Sequence, residues 1–350
     1  MMKRITFCAL LIALFLLLSC GSGSASAEDP KTTFLTSIAN LGKGFLDVFT
    51  SLSDMVAGAL GIKAETKKSD IGKYFSDIEK TVTSVKKKLN TVVAENGNYP
   101  KIKEVVDNFI TNTLDKIADG AKEAAKGATG SDAIGGATTA GQDAVAADTT
   151  SVNLLVKGIK EIVGVVLKDG DGDATKTAEE QQKTIGKLFS EKKANGGTEA
   201  EAAAASASIG AVTGADILRA IASSSDATAG GVDIDQAKDA ASIASGKTDN
   251  AKDLTIGSAK KDAVIAAGIA LRAMAKDGKF AAKQNEDKSV HAVNGVAASA
   301  VGKTLSTLII AIRNTVDSGL KTINAALATV TQEDKFVDST TPADSTASGQ

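Results

Sequence analysis

Val301–Val330, VGKTLSTLIIAIRNTVDSGLKTINAALATV, decides the fold. Within it Val301, Leu305, Leu308, Ile312, Val316, Leu320, Ile323, Leu327 and Val330 recur at steps of three or four residues. That spacing holds one apolar stripe along an α-helix and is incompatible with the two-residue alternation of a strand. The same signature appears at the other end of the chain. Phe34, Ile38, Leu41, Phe45, Phe49, Leu52, Val56 and Leu60 are again three or four apart, and Gly61 marks a stop. A second helix is expected over about 67–95 on Ile71, Phe75, Ile78, Val82, Val85, Leu89 and Val92. After a turn at Glu95–Pro100, a third is expected over about 101–126 on Ile102, Val105, Val106, Phe109, Ile110, Leu114 and Ile117.

The middle of the chain is different. From Gly127 to Thr150 the stripe dissolves into Gly, Ala, Thr and Asp, which reads as a surface segment. Helices are expected at about 151–168, 175–193 and 256–276. Residues 194–250 read as weak Ala-rich helical pieces broken by Gly and Ser, and 277–289 as a polar, mostly exposed loop. The tail 335–350 has the composition of disorder. The fold class is therefore all-α. The expected form is an elongated multi-helix bundle. Its long N- and C-terminal helices pack together, and its short Ala-rich helices and Gly/Ser/Asp loops gather at the far end.

Composition supports this. The 350 residues contain no Trp and three Pro, and aromatics make up 3%. Abundant Ala with Lys, Glu and Asp suits helices that bury small side chains and approach closely.

The first twenty residues carry an address. Lys3 and Arg4 precede the apolar run Ile5–Leu18, which is too short for a permanent transmembrane helix and fits a signal-peptide core. No other segment reads as a span; the next most apolar stretch, Leu305–Ile312, is short and flanked by Lys303 and Arg313. The run closes on Leu17-Leu18-Ser19-Cys20-Gly21, which resembles a bacterial lipobox. That resemblance implies cleavage between Ser19 and Cys20, a diacylglyceryl group on the Cys20 thiol, and acylation of the new amine. Two or more acyl chains hold a protein stably on a bilayer, so the membrane partner is lipid engaged through Cys20. The organisation expected is a signal peptide at 1–19, a lipidated cysteine and Gly/Ser tether at 20–32, a helical ectodomain at 33–334, and the tail. Cleavage removes Lys3, Arg4 and Cys8, which takes the formal charge from −2 to −4 and leaves one cysteine, already committed to lipid. Disulfides are thereby excluded, and the absence of a basic balance argues against a nucleic-acid partner.

Chemistry-bearing motifs are sparse. Asp169, Asp171 and Asp173 would fill positions 1, 3 and 5 of a calcium loop, with Glu180 at position 12. Ala174 replaces the turn glycine, however, and Lys176 replaces an apolar position. The favoured reading is a set of carboxylates capping a helix that starts near Thr175. Gly246-Lys247-Thr248 and Gly302-Lys303-Thr304 lack the earlier glycine of a phosphate loop, having Ala241 and Ala297 there. His291 is the only histidine. With no Gly-x-Ser-x-Gly elbow and no cysteine to spare, neither an enzyme, a metal site nor a cofactor site is expected.

Phe34–Gly61 (FLTSIANLGKGFLDVFTSLSDMVAGALG), the Lys67–Val92 helix, the Val301–Val330 helix and the lipobox together resemble the variable large proteins of relapsing-fever Borrelia. More loosely they resemble the VlsE-type surface lipoproteins of Lyme-disease spirochaetes. The resemblance implies a helical coat protein on the outer membrane, facing the exterior, whose partners are host antibodies and whose sequence changes evade them. Segments 127–150, 194–260 and 277–289 are expected to carry the epitopes. A surface adhesin for a host matrix or plasma component is the alternative. Whether the chain pairs as a homodimer is open.

Overall fold

The computed structural model describes residues 30–51, 61–96, 99–137, 140–177, 183–190, 196–247, 252–331 and 334. Its helices are α1 (Pro30–Ser51), α2 (Lys68–Glu95), α3 (Pro100–Phe109), α4 (Asp115–Gly127), α5 (Thr149–Val166), α6 (Gly186–Ser190), α7 (Glu199–Ala211), α8 (Gly214–Ala222), α9 (Ala240–Ala244), α10 (Asp262–Met274) and α11 (Asp287–Leu327). No strand occurs among the described residues, only isolated bridge pairs. The all-α expectation holds.

The 41-residue α11 is the spine, about 60 Å long at the rise of an α-helix. Its C-terminal half meets the other striped helices. Leu327 lies beside Gly42 of α1, and Ile62, just past the first helical segment, lies beside Gly302, so the two ends of the chain pack antiparallel. The Phe109 ring of α3 rests on the bare backbone of Gly319, and the Tyr74 hydroxyl of α2 donates to the Leu305 carbonyl at 3.2 Å. By length and apolar content α11 could cross a membrane. Instead Leu305, Leu308, Ile309 and Ile312 are buried in the protein core.

α3 and α4 form one continuous rod, as expected for 101–126, but a π-turn at Ile110–Leu114 joins them. The buried residues explain it. Ile102, Val106, Ile110 and Leu114 are spaced by four, and each such step drifts about 40° around a regular α-helix. The wider π-turn takes up that drift and keeps them on one face.

Around the N-terminal half of α11 sit the short helices. Every residue of α10 is buried, and α5, α7, α8, α9 and α11 enclose it. Capping boxes start three of these helices: Thr198 with Glu201 for α7, Thr213 with Asp216 for α8, and Asp239 with Ser242 for α9. The α4–α5 pair closes on glycine, because a Cβ on Gly120 would lie 2.6 Å from the Gly158 carbonyl oxygen.

Four sequence expectations change here. α11 begins at Asp287 rather than near 301, because Val293, Val296, Ala297 and Ala300 extend the stripe with small residues. The helix expected at 175–193 is a 3-10 turn (Lys183–Ile185) and the short α6, with 178–182 and 191–195 outside the described residues. Segments 127–150 and 277–289 are not separate surface loops. They pair with each other, Gln142 with Ala282 and Val145 with Lys279, and they bury Ile134, Ala137, Ala144, Phe280 and Ala282. Segment 194–260 buries Ile209, Ile217, Leu218, Ile221, Ile243 and Leu254. Alanine and glycine allow backbones to pack from all sides, so a segment without a stripe of large residues can still be core.

Candidate functional site

With so much of the middle buried, the exposed main chain of this half contracts to short tips. Four of them are 129–132 (TGSD), 168–171 (KDGD), 225–230 except Ala227 (SDATAG), and 276–277 (KD). Each bends where Gly or an αL residue permits it: Gly130, Gly170, Gly230 and Asp277 all have positive φ.

Beneath the tips lie two buried cations. Arg272, on α10, donates from Nε to the Lys279 carbonyl (3.0 Å), from Nη1 to Ile243 (3.3 Å) and Ala244 (3.2 Å), and from Nη2 to Phe189 (2.8 Å). It also stacks 5.4 Å from the Phe189 ring, which meets Phe280 edge-on. Lys68, at the start of α2, donates to the carbonyls of Arg272 (3.1 Å) and Ala273 (2.6 Å). Both cations are fully buried. Desolvation brings the Arg272 guanidinium down to about 9. It brings the Lys68 ammonium down to about 7, although Asp132 pulls the other way.

All but the Lys279 carbonyl, which lies in the bridged segment after α10, share a property: they belong to the last turns of helices. Phe189 ends α6, Ile243 and Ala244 end α9, and Arg272 and Ala273 end α10. A helix leaves its last carbonyls without intrahelical donors, and its C-terminus carries partial negative charge. A cation delivered from another helix answers both needs. The same device recurs nearer the surface. Lys303 donates to Ile209 near the end of α7 (2.7 Å), and Arg219 donates to Leu167 (3.2 Å), Lys168 (2.6 Å) and Asp171 (3.0 Å) just beyond α5.

The Gly302-Lys303-Thr304 triplet is thus a helix-capping lysine, with Thr304 buried and donating to Ala300. Of the second triplet, Thr248 lies outside the described residues. The acidic loop has a structural task too, though not at a helix starting near Thr175, since Ala174–Thr175 form a turn. Asp173 accepts from the Thr175 amide (2.8 Å) and hydroxyl (2.7 Å), which holds its carboxyl below the usual range. Asp171 accepts from the Lys168 amide at 2.9 Å, and Asp216 of α8 accepts from the Asp173 amide at 2.6 Å. Two of the three carboxylates are therefore occupied by backbone, while Asp169 is exposed. Among the described residues no carboxylate, cysteine and histidine group is arranged to hold a metal ion, and Glu180 is not among them. His291 is exposed in the first turns of α11. Ser19, Cys20 and the tether up to residue 29 lie outside the described residues, as do 335–350.

Sequence reading missed the cations. Lys68 gave no signal beside Lys67. Arg272 gave one, as a lone charge in the otherwise apolar run AVIAAGIALRAM.

Comparison with known proteins agrees with this architecture. A family model described as Borrelia lipoprotein matches residues 45–327. Variable large protein 4 of Borrelia hermsii is 63% identical, with each chain fully covered. Variable large protein 17 of the same organism is also 63% identical, over 100% of this chain and 99% of that one. The crystal structure of the Lyme disease variable surface antigen VlsE of Borrelia burgdorferi superposes with a TM-score of 0.74 at 36% identity, covering 83% of this chain and 97% of that chain. The fold is thus shared with VlsE, and this chain belongs to the Borrelia lipoprotein family as one of its variable large proteins.

Proposed function

We propose that this chain is a lipid-anchored antigen of the outer surface, with a non-enzymatic role: presenting exchangeable tips to host antibodies while the rest of the fold stays constant. The observation that carries the reading is the position of the 129–132 tip relative to the start of α1. Cys20 stands ten residues before Pro30, where α1 starts. α1 passes Leu327 at Gly42 and Val92 at Gly44, so its first half lies at the end formed by the C-termini of α2 and α11. The tip residue Asp132 pairs with Lys279 at 3.4 Å beside Lys68, at the opposite end of the 28-residue α2, roughly 40 Å away. Lipid attached at Cys20 would hold the first end to the outer membrane and turn the 129–132 tip outward, with the 225–230 tip beside the same end of α5 through Asn153.

The experiment is epitope mapping on living cells that carry the full lipoprotein. Antibodies raised to it should protect 129–132, 225–230 and 276–277 from surface labelling and should leave 301–327 unaffected. Antibodies that bind intact cells chiefly through 34–60 and 301–327, or a protein that added protease cannot reach, would overturn the proposal. Mass spectrometry of the mature N-terminus tests the acylated Cys20 directly.

A further inference from the structure

We infer that Asn153 and Asn294 are positioning residues that set the paths of the 225–231 and 129–137 segments by gripping main chain alone. The side-chain amide of Asn153, on α5, forms a two-bond clamp on one residue. Its Oδ1 accepts from the Ala227 amide at 2.6 Å and its Nδ2 donates to the Ala227 carbonyl at 3.3 Å. Asn294, on α11, repeats the arrangement on Ala137: Oδ1 accepts from the amide at 3.1 Å and Nδ2 donates to the carbonyl at 2.9 Å. A primary amide presents a donor and an acceptor side by side, so it can replace the neighbouring strand that each loop lacks. The two gripped alanines are nearly buried, at 8% and 5% exposure, whereas the neighbours of Ala227, namely Ser225, Asp226, Thr228 and Ala229, are exposed. Gly135 leaves room for the second clamp, since a Cβ there would sit 2.5 Å from Asn294 Oδ1.

Other supports of these segments also use main chain. Asp239 accepts from the Ser225 amide at 3.1 Å, and Gly231 donates to the Thr228 carbonyl at 2.8 Å. The Lys68 and Ser69 amides at the start of α2 donate to the Asp132 and Gly130 carbonyls, each at 2.9 Å. Every non-proline residue supplies the same amide and carbonyl. Exposed side chains can therefore be exchanged without altering the grip. This rests on the proposed display role for its biological meaning, but its test does not involve antibodies or cells.

The test is amide hydrogen exchange on the soluble full ectodomain. In a variant carrying Ser225→Lys, Asp226→Thr, Thr228→Glu and Ala229→Ser together, Ala227 should keep its wild-type protection within about twofold. Asn153→Ala should speed exchange at Ala227 by about fivefold or more, the factor expected for one lost hydrogen bond, while Ile159 in α5 stays unchanged. Asn153→Asp, which keeps the acceptor, should retain most of the Ala227 protection, so the result does not depend on the alanine variant folding well. Asn294→Ala should act in the same way on Ala137 alone. If the fourfold surface variant releases Ala227, or Asn153→Ala leaves its exchange untouched, the clamp does not set the loop. Uniform acceleration across α5 in both Asn153 variants would also overturn it, by showing a general structural role.

Discussion

The two halves of α11 are held by different physics. Toward its C-terminus, Leu308, Ile312, Val316, Leu320 and Ile323 are buried among the striped helices α1, α2 and α3, and the bonding there is the packing of large aliphatic side chains. Toward its N-terminus the partners are the alanine-containing helices α7, α8 and α10, of nine to thirteen residues. Few of these have a stripe long enough to hold them. Close backbone packing, capping boxes and cations on helix C-termini do so instead. One end of the molecule can thus be an ordinary bundle while the far end is built differently. Its far end can then be fixed by contacts that do not involve the exposed side chains.

The largest expected effect breaks the upper half. Arg272→Met removes the donor to four carbonyls at or near the ends of α6, α9 and α10. Each buried acceptor left unsatisfied costs about 1–3 kcal/mol. Relief of the desolvated charge offsets part of this. A net loss of about 4–5 kcal/mol in urea unfolding is expected, with Lys279–Ala282 amides exchanging early. A loss under about 2 kcal/mol would mean that the cation is incidental. Leu320→Ala examines the other half. It should cost about 3 kcal/mol as an ordinary core truncation and leave those loop amides as protected, relative to global unfolding, as before.

The third effect is a pH dependence located in the upper half. Burial lowers Lys68 to about 7 from an ordinary 10.5. Between those values the unfolded chain binds more protons than the folded one, so stability should rise with pH from about 7 upward. The slope approaches, at most, about 1.4 kcal/mol per pH unit. Arg272, brought down to about 9 from 12.5, adds the same sign above about 9. Lys68→Met should flatten the rise between pH 7 and 9, whereas Leu320→Ala should retain it. A fall in stability over that interval in the parent protein would contradict the buried-cation reading.

The same division decides what could be read from the residues beforehand. α2, the α3–α4 rod and the last thirty residues of α11 follow from three- and four-residue spacing, because large side chains at helical steps bury one face and nothing else does. α7 and α8 were legible by another route, in Thr198-x-x-Glu201 and Thr213-x-x-Asp216, though not by stripe. The burial of Ile134, Ala137, Ala144 and Ala147 and of 280–282 was not legible. An alanine or glycine in a dense core has the same composition as one in a loop, and the pairing of Val145 with Lys279 links residues far apart in the chain. The capping lysines were equally hidden, since Lys68 and Lys303 look like any solvated helix charge until the facing helix end is in place.

The smallest effect concerns the acidic loop, where the upper-half rule is sharpest. If 168–173 is held through its backbone, its three aspartates should not be equivalent. Asp173, which accepts from Thr175 twice, should lower the thermal midpoint when changed to Ala. Asp169, exposed at the tip, should stay within about 0.5 kcal/mol. Millimolar calcium should leave the thermal midpoint of the parent and both variants where it was. The carboxylates of Asp171 and Asp173 would have to release the Lys168 and Thr175 amides to face an ion. Arg219 already engages the Leu167, Lys168 and Asp171 carbonyls, so the rest of the loop is poorly placed to follow them. A calcium-dependent rise in midpoint, lost equally in Asp169→Ala and Asp173→Ala, would show that the loop recognises a cation through its side chains. The contrast between the two halves would then fail at this tip.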